Sequence, residues 1–198
     1  MEKAVKKRLI AYVLLAILTG AVLFLAFRDE PPVGERIVTD PVRYLQTSRY
    51  VATRREAALA DGRLTRSFLP YLQDGAEMRD YLYWYNCALL GDPNYAVAVT
   101  VYYADEGAFE AEIRRLCALE DFGWTASEGT LIIDKGTAPK IRALLEPPLR
   151  DGCEYLLEYA IVSLKERTIT YTEADLWEGQ VCHETIRGQL ELLKIVLP

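Results

Sequence analysis

Hydrophobic positions are spread very unevenly along this chain. Leu9 to Phe27 reads LIAYVLLAILTGAVLFLAF without a single charge. As a helix rising about 1.5 Å per residue the run spans roughly 28 Å, close to the ~30 Å hydrocarbon core of a bilayer. Its only interruptions, Thr19 and Gly20, are tolerated in membrane helices. The pattern predicts a transmembrane helix over 9–27. The rival is a cleaved signal peptide, whose apolar core is usually about 7–15 residues and ends at a small-x-small site. Here the run is longer and exits through Leu25-Ala26-Phe27-Arg28. Residues 28–40 (RDEPPVGERIVTD) offer no apolar face. Pro31-Pro32 favours extended backbone, so this stretch is expected to be a tether.

Beyond residue 40 the period changes repeatedly. Asp40-Pro41 suits a helix start, with Asp as N-cap and Pro in the first helical position. Leu45, Ala52 and Leu59 fall on one stripe, and Arg43, Arg49, Arg54 and Arg55 lie mostly elsewhere. A helix is expected over about 41–60, ending near Asp61-Gly62. Residues 63–80 carry no decisive pattern, with Pro70 and Gly75 as breakers.

The clearest strand follows. Tyr95, Val97, Val99, Val101 and Tyr103 alternate with Ala96, Ala98, Thr100 and Tyr102, after the aromatic run that starts at Tyr81 and the turn formers Gly91-Asp92-Pro93-Asn94. This predicts a β-hairpin over 81–103. A helix over 76–90 is the alternative, since Met78, Leu82, Tyr85 and Leu89 also fit its period, but tyrosines at this density favour a strand.

Asp105 is placed to cap a helix carrying Phe109, Ile113 and Leu116 at four-and-three spacing. A short strand is expected at Leu131 to Ile133. A short helix should open at Thr137-Ala138-Pro139 and stop at Pro147-Pro148. In 154–175, Tyr155, Leu157, Tyr159 and Ile161 share one strand face, and Ile169 and Tyr171 alternate with Thr168, Thr170 and Thr172. That predicts a second hairpin turning near Lys165-Glu166-Arg167. The tail from Gln189 to Leu197 fits either state. Residues 41–198 thus read as one α+β domain, an antiparallel sheet with a few helices packed on one side.

Charge orients this plan. Residues 1–8 hold Lys3, Lys6, Lys7 and Arg8 against Glu2, and the rest of the 198-residue chain has nine more acidic than basic side chains. The basic stub is expected to stay cytoplasmic, which places the domain outside the cytoplasm. So acidic a domain has no electrostatic footprint for nucleic acid.

Candidate chemistry is sparse. Four cysteines, Cys87, Cys117, Cys153 and Cys182, permit up to two disulfides outside the cytoplasm, and Cys153–Cys182 across the second hairpin is the first pair to expect. Without any CxxC, zinc-ribbon and thioredoxin-type sites lack support. His183 is the only histidine. His183-Glu184-Thr185-Ile186-Arg187 begins like HExxH but has Arg where the second ligand belongs. Among carboxylates, Glu154 and Glu158 on one strand would be about 13 Å apart, and Glu173 and Asp175 about 6.6 Å. Only the second spacing suits an inverting glycosidase. GxSxG, SxxK and GxxxxGK are all missing, and nothing calls for a metal or a cofactor.

The aromatics remain. Tyr81, Tyr83, Trp84, Tyr85, Tyr102 and Tyr103 are candidates for gripping a partner, against the plainer reading that they fill a core. The reading favoured is a single-pass membrane protein with a non-catalytic extracytoplasmic interaction domain, directed at an envelope protein or polysaccharide. A carboxylate-dependent extracytoplasmic hydrolase and a structural accessory subunit of an envelope complex are the alternatives.

Overall fold

The computed structural model describes residues 17–19, 34–41, 49–70, 75–87, 94–145, 154–177 and 184–196. Seven strands form one sheet: β1 (Gly34–Val38), β2 (Ala76–Cys87), β3 (Asn94–Tyr103), β4 (Gly123–Ser127), β5 (Thr130–Asp134), β6 (Glu154–Ser163) and β7 (Thr168–Trp177). Their spatial order is β1-β2-β3-β7-β6-β5-β4, with every neighbouring pair antiparallel. The sheet is therefore two meanders, β1 to β3 and β4 to β7, zipped together along β3 and β7. Helices α1 (Arg49–Ala60), α2 (Glu106–Cys117), α3 (Ala138–Leu145) and α4 (Glu184–Val196) complete the described fold.

Both expected hairpins form, because alternation is a local signal. β2 pairs with β3 from Ala76↔Tyr103 to Asn86↔Asn94, and β6 with β7 from Glu154↔Trp177 to Ser163↔Thr168. Two strands lay beyond the pattern. Gly34–Val38 is the edge strand β1, against the expectation of a tether throughout 28–40. Its charged residues belong in a strand because β2 offers a pairing edge and Trp84 donates its indole N–H to Glu35 at 2.8 Å. At the opposite edge, β4 folds back on β5 through Glu128 (φ 43°) and Gly129 (φ 80°), the left-handed pair that a two-residue hairpin turn demands.

Helices cover both faces of the sheet, not one. The first face packs Tyr83, Val97, Val99 and Tyr171 against Phe68, Leu69 and the α2 residues Phe109 and Leu116. The second packs Trp84, Ala96, Leu157 and Ala174 against Ile141 of α3 and Ile186, Leu190 and Leu193 of α4. Central strands such as β3, apolar on alternate positions of both faces, require cover on both. Each large side chain enclosed in this way contributes about 1.5–3 kcal/mol.

Local signals set the helix ends. Gly62 (φ 71°) ends α1 in a Schellman motif, with Arg63 N–H on the Ala58 carbonyl at 2.9 Å and Gly62 N–H on that of Leu59 at 3.3 Å. Asp105 caps α2 by accepting from the Ala108 N–H at 2.7 Å. Asp134 accepts both the N–H and the hydroxyl of Thr137, each at 2.7 Å, just before α3.

Of the expected membrane segment, only residues 17–19 are described. They are helical, with Ile17 and Leu18 exposed. No helix among the described residues is long and apolar enough to cross a membrane, and the remainder of 9–27 lies outside them.

Candidate functional site

The aromatic candidates of the hairpin are divided between the two faces of the sheet. Tyr81, Tyr83 and Tyr85 stand opposite Val99, Val97 and Tyr95 on the first face, and Trp84 stands opposite Ala96 on the second. With Tyr103 they are at most 7% exposed. Burial, reinforced at Tyr81 by Tyr83, pushes the Tyr81 hydroxyl up to about 12. Burial likewise takes Tyr103 to about 12, so both remain protonated donors. Helical cover on both faces encloses these five rings. Tyr102 alone is half exposed, and the patch expected across the whole hairpin contracts to that residue.

Tyr102 lies in a distinctive setting. A β-bulge between Met78 and Asp80 frees Arg79 from the β2–β3 register. The Arg79 guanidinium lies 3.9 Å from the centre of the Tyr102 ring, a cation–π arrangement. Arg167, from the turn between β6 and β7, donates to the Tyr102 hydroxyl at 3.3 Å and to the Ala104 carbonyl at 2.8 Å.

From Tyr102 the sheet register runs straight across five strands. Tyr102 faces Thr168, Thr168 faces Ser163, Ser163 faces Thr130, and Thr130 faces Ser127. All five residues carry a hydroxyl and all are half-buried. At about 4.8 Å between strands the row spans roughly 19 Å. One step inward, Thr100 and Thr170 share a hydrogen bond at 2.9 Å beside the half-buried Ile161. The next step inward is closed: Gln189 of α4 accepts from Tyr159 at 2.8 Å and Thr172 at 2.9 Å, and both are fully buried. Beyond Gln189 of α4 the second face thus ends in a ledge of half-buried hydroxyl residues.

The first face holds the carboxylates. Glu173 stands directly opposite Glu158 on the neighbouring strand, and Asp175 opposite Tyr95. All three carboxylates are buried. Like charges facing each other across strands are destabilising unless compensated. The compensation comes from the covering layer. Arg55 of α1 grips Glu173 through Nε at 2.8 Å and Nη2 at 2.9 Å, and Tyr95 donates to the same carboxylate at 3.1 Å. Glu158 accepts from the Thr65 N–H at 2.8 Å and its hydroxyl at 3.1 Å, with the Lys135 ammonium at 3.6 Å. Burial, eased by the Thr65 N–H and reinforced by the Glu173 charge, holds Glu158 above the usual carboxylate range. Burial, then Glu173 and Asp175, pushes Tyr95 far up, so it stays a donor.

The sequence placed Arg55 mostly off the apolar stripe of its helix; the structure turns it inward, because a buried Glu173 requires a cation. The sequence reading considered the pair Glu173 and Asp175; the carboxylate residue that stands opposite Glu173 is Glu158, which only the β6–β7 register reveals. The oxygens of Glu158 and Glu173 are occupied by the protein's own donors, so the group acts as a cross-link between sheet and cover.

The expected Cys153–Cys182 bridge and His183 lie outside the described residues. Cys87 is buried on β2, and the free thiol of Cys117, at the end of α2, is raised by burial. Among the described residues no three of His, Cys, Asp and Glu converge as metal ligands would. Comparison with family models, with curated proteins and with solved structures finds no match.

Proposed function

We propose that this chain is a single-pass membrane protein whose extracytoplasmic α+β domain binds an extended polysaccharide of the cell envelope without catalysing its cleavage. The observation that carries this reading is the in-register row Tyr102–Thr168–Ser163–Thr130–Ser127. A polysaccharide presents hydroxyls at regular intervals along an extended chain, and a row of donor–acceptor hydroxyls on a rigid pleat matches that demand with little ordering cost. The Arg79 guanidinium stacked on Tyr102 adds a planar platform at one end. Among the aromatics of the hairpin, Tyr102 remains the contact residue in this reading. A hydrolase draws less support, because the buried carboxylates Glu158 and Glu173 are engaged by Arg55, Tyr95, Thr65 and Lys135.

Retention of the full-length chain on purified peptidoglycan, chitin and cellulose tests the ledge. Thr168→Val and Thr130→Val remove hydroxyls while keeping shape and strand preference. Each is expected to weaken retention several-fold, and Tyr102→Ala about tenfold, a loss of ~1.4 kcal/mol. Equal retention of parent and variants, or none on any of the three polymers, rejects the ledge as a binding site. The anchor is tested separately. Protease added to intact cells should remove a C-terminal tag, and protection of that tag until lysis would reverse the orientation.

A further inference from the structure

The two edges of the sheet are built differently. β1 carries Glu35 and Arg36 within the strand, and Glu35 is tied to Trp84. Charges on an edge strand are a common guard against pairing with another chain. At the other edge, β4 reads Gly-Trp-Thr-Ala-Ser and has neither charge nor proline. Among the described residues no strand lies beyond it. Trp124 is 64% exposed, the highest value of any large hydrophobic residue described. It stands opposite Ile133, whose side chain belongs to the core of the first face. Exposed Ala126 is on the same side. A strand laid along β4 would satisfy its outward N–H and C=O groups and place its own side chains beside Trp124.

Charge selects the occupant. From Leu116 to Asp134 the sequence contains no Lys or Arg, whereas Glu120 and Asp121 precede β4 and Glu128 follows it, all three exposed. The neighbouring turn, joined by the Leu164 N–H to the Gly129 carbonyl at 3.1 Å, adds Lys165 and Glu166, which cancel, and Arg167, whose guanidinium is directed to the Ala104 carbonyl and the Tyr102 hydroxyl. A second copy pairing antiparallel through β4 would bring its Glu128 toward Glu120 and Asp121, a like-charge juxtaposition that disfavours self-pairing. We propose that β4 is a docking edge for an extended segment of a partner protein, uncharged at its centre and basic at both ends, added as an eighth strand alongside Trp124. This is strand addition, with main-chain hydrogen bonds giving affinity and the flanking charges giving register and selectivity. It does not rest on the polysaccharide reading of the ledge.

The test uses the full-length chain in neutral detergent. The probe is a fluorescently labelled peptide of about eight alternating valines and threonines, enough to cover β4 and its flanks, with lysine at each end. The control has glutamate at each end. The lysine peptide is expected to bind at least about tenfold more tightly and to slow amide hydrogen exchange in residues 123–127. Trp124→Ala should weaken it severalfold. The double variant Glu120→Lys with Glu128→Lys should reverse the preference toward the glutamate peptide, an outcome that mere unfolding does not produce. Equal affinity for both peptides, no binding of either, or protection elsewhere overturns the proposal. So does concentration-dependent dimerisation abolished by Trp124→Ala, which would make the occupant a second copy.

Discussion

Under α1 and α2, the sheet meets its covering layer through Glu173 on Arg55, Glu158 on Thr65, and Tyr171, whose hydroxyl contacts Tyr103 at 2.9 Å and donates to Glu112 at 2.7 Å. Arg115 then joins Glu112 to the Ser67 and Phe68 carbonyls. Under α3 and α4 the same role falls to Ile141, Ile186, Leu190 and Leu193, with Gln189 as a polar contact at the rim. Directional contacts between buried charges fix where the first cover sits and penalise displacement. Apolar packing holds the second cover without constraining its extent, and beyond α4 the sheet ends in hydroxyls that tolerate water. The first face adds these charged contacts to its apolar packing with Phe68, Phe109 and Leu116, whereas the second relies on apolar packing up to Gln189.

Removing one member of the ion pair should have the largest effect. Arg55→Ala leaves Glu173 buried without its cation and is expected to cost about 3–5 kcal/mol in urea denaturation. Replacing both by apolar residues, Arg55→Met with Glu173→Leu, should recover most of that loss. A cost near zero for Arg55→Ala would mean that α1 is held by packing, and the contrast between the faces would fail. On the other face, Leu190→Ala is expected to cost about 2–4 kcal/mol from lost burial and the cavity left behind. That cost should be the same at acid and neutral pH, since nothing in the contact ionises.

Tyr171→Phe removes a buried hydroxyl from the Tyr103–Glu112 network and should cost about 1–2 kcal/mol. The pH dependence sharpens this. Burial acts to raise Glu112, but its bonds to Arg115 and Tyr171 outweigh burial and bring it below the usual range. Its stabilising contribution is therefore present above the unfolded carboxylate pKa and is lost as pH falls through the depressed folded value. In Tyr171→Phe, less stability should remain to be lost on acidification.

Glu158 has the opposite sign. Its folded pKa is raised, so stability declines as pH climbs from the unfolded value, about 4.3, through the higher folded one. Glu158→Gln should remove that decline, so that its stability rises relative to the parent between acid and neutral pH, measured by parallel denaturation curves. A gain that is flat with pH would assign the effect to packing. The smallest change is expected on the ledge, where Thr168→Val should shift stability by less than about 0.5 kcal/mol. A larger loss would show that the row is structural cement like the network on the other face.

The hairpins, the cap at Asp105 and the turn at Gly62 were legible in the sequence because each depends on residues within a few positions of one another. Helix α4 carried a readable signal as well, since Ile186, Leu190 and Leu193 recur at four-and-three spacing, although the tail from Gln189 to Leu197 taken alone fits either state. Strand β4 had its signal in Glu128-Gly129, a turn pair between two short runs. Polar β1 had none, because only the edge of β2 makes it a strand. Local periodicity thus determined most of the segments that are strands and helices. Tertiary structure decided what faces what. Arg55 meets Glu173 across 118 positions of sequence, and the hydroxyl row exists only after four strand pairings have set their registers. The physical reason is that element type follows from neighbours along the chain, whereas charge compensation, burial of the tyrosines and the open ledge follow from neighbours across the sheet.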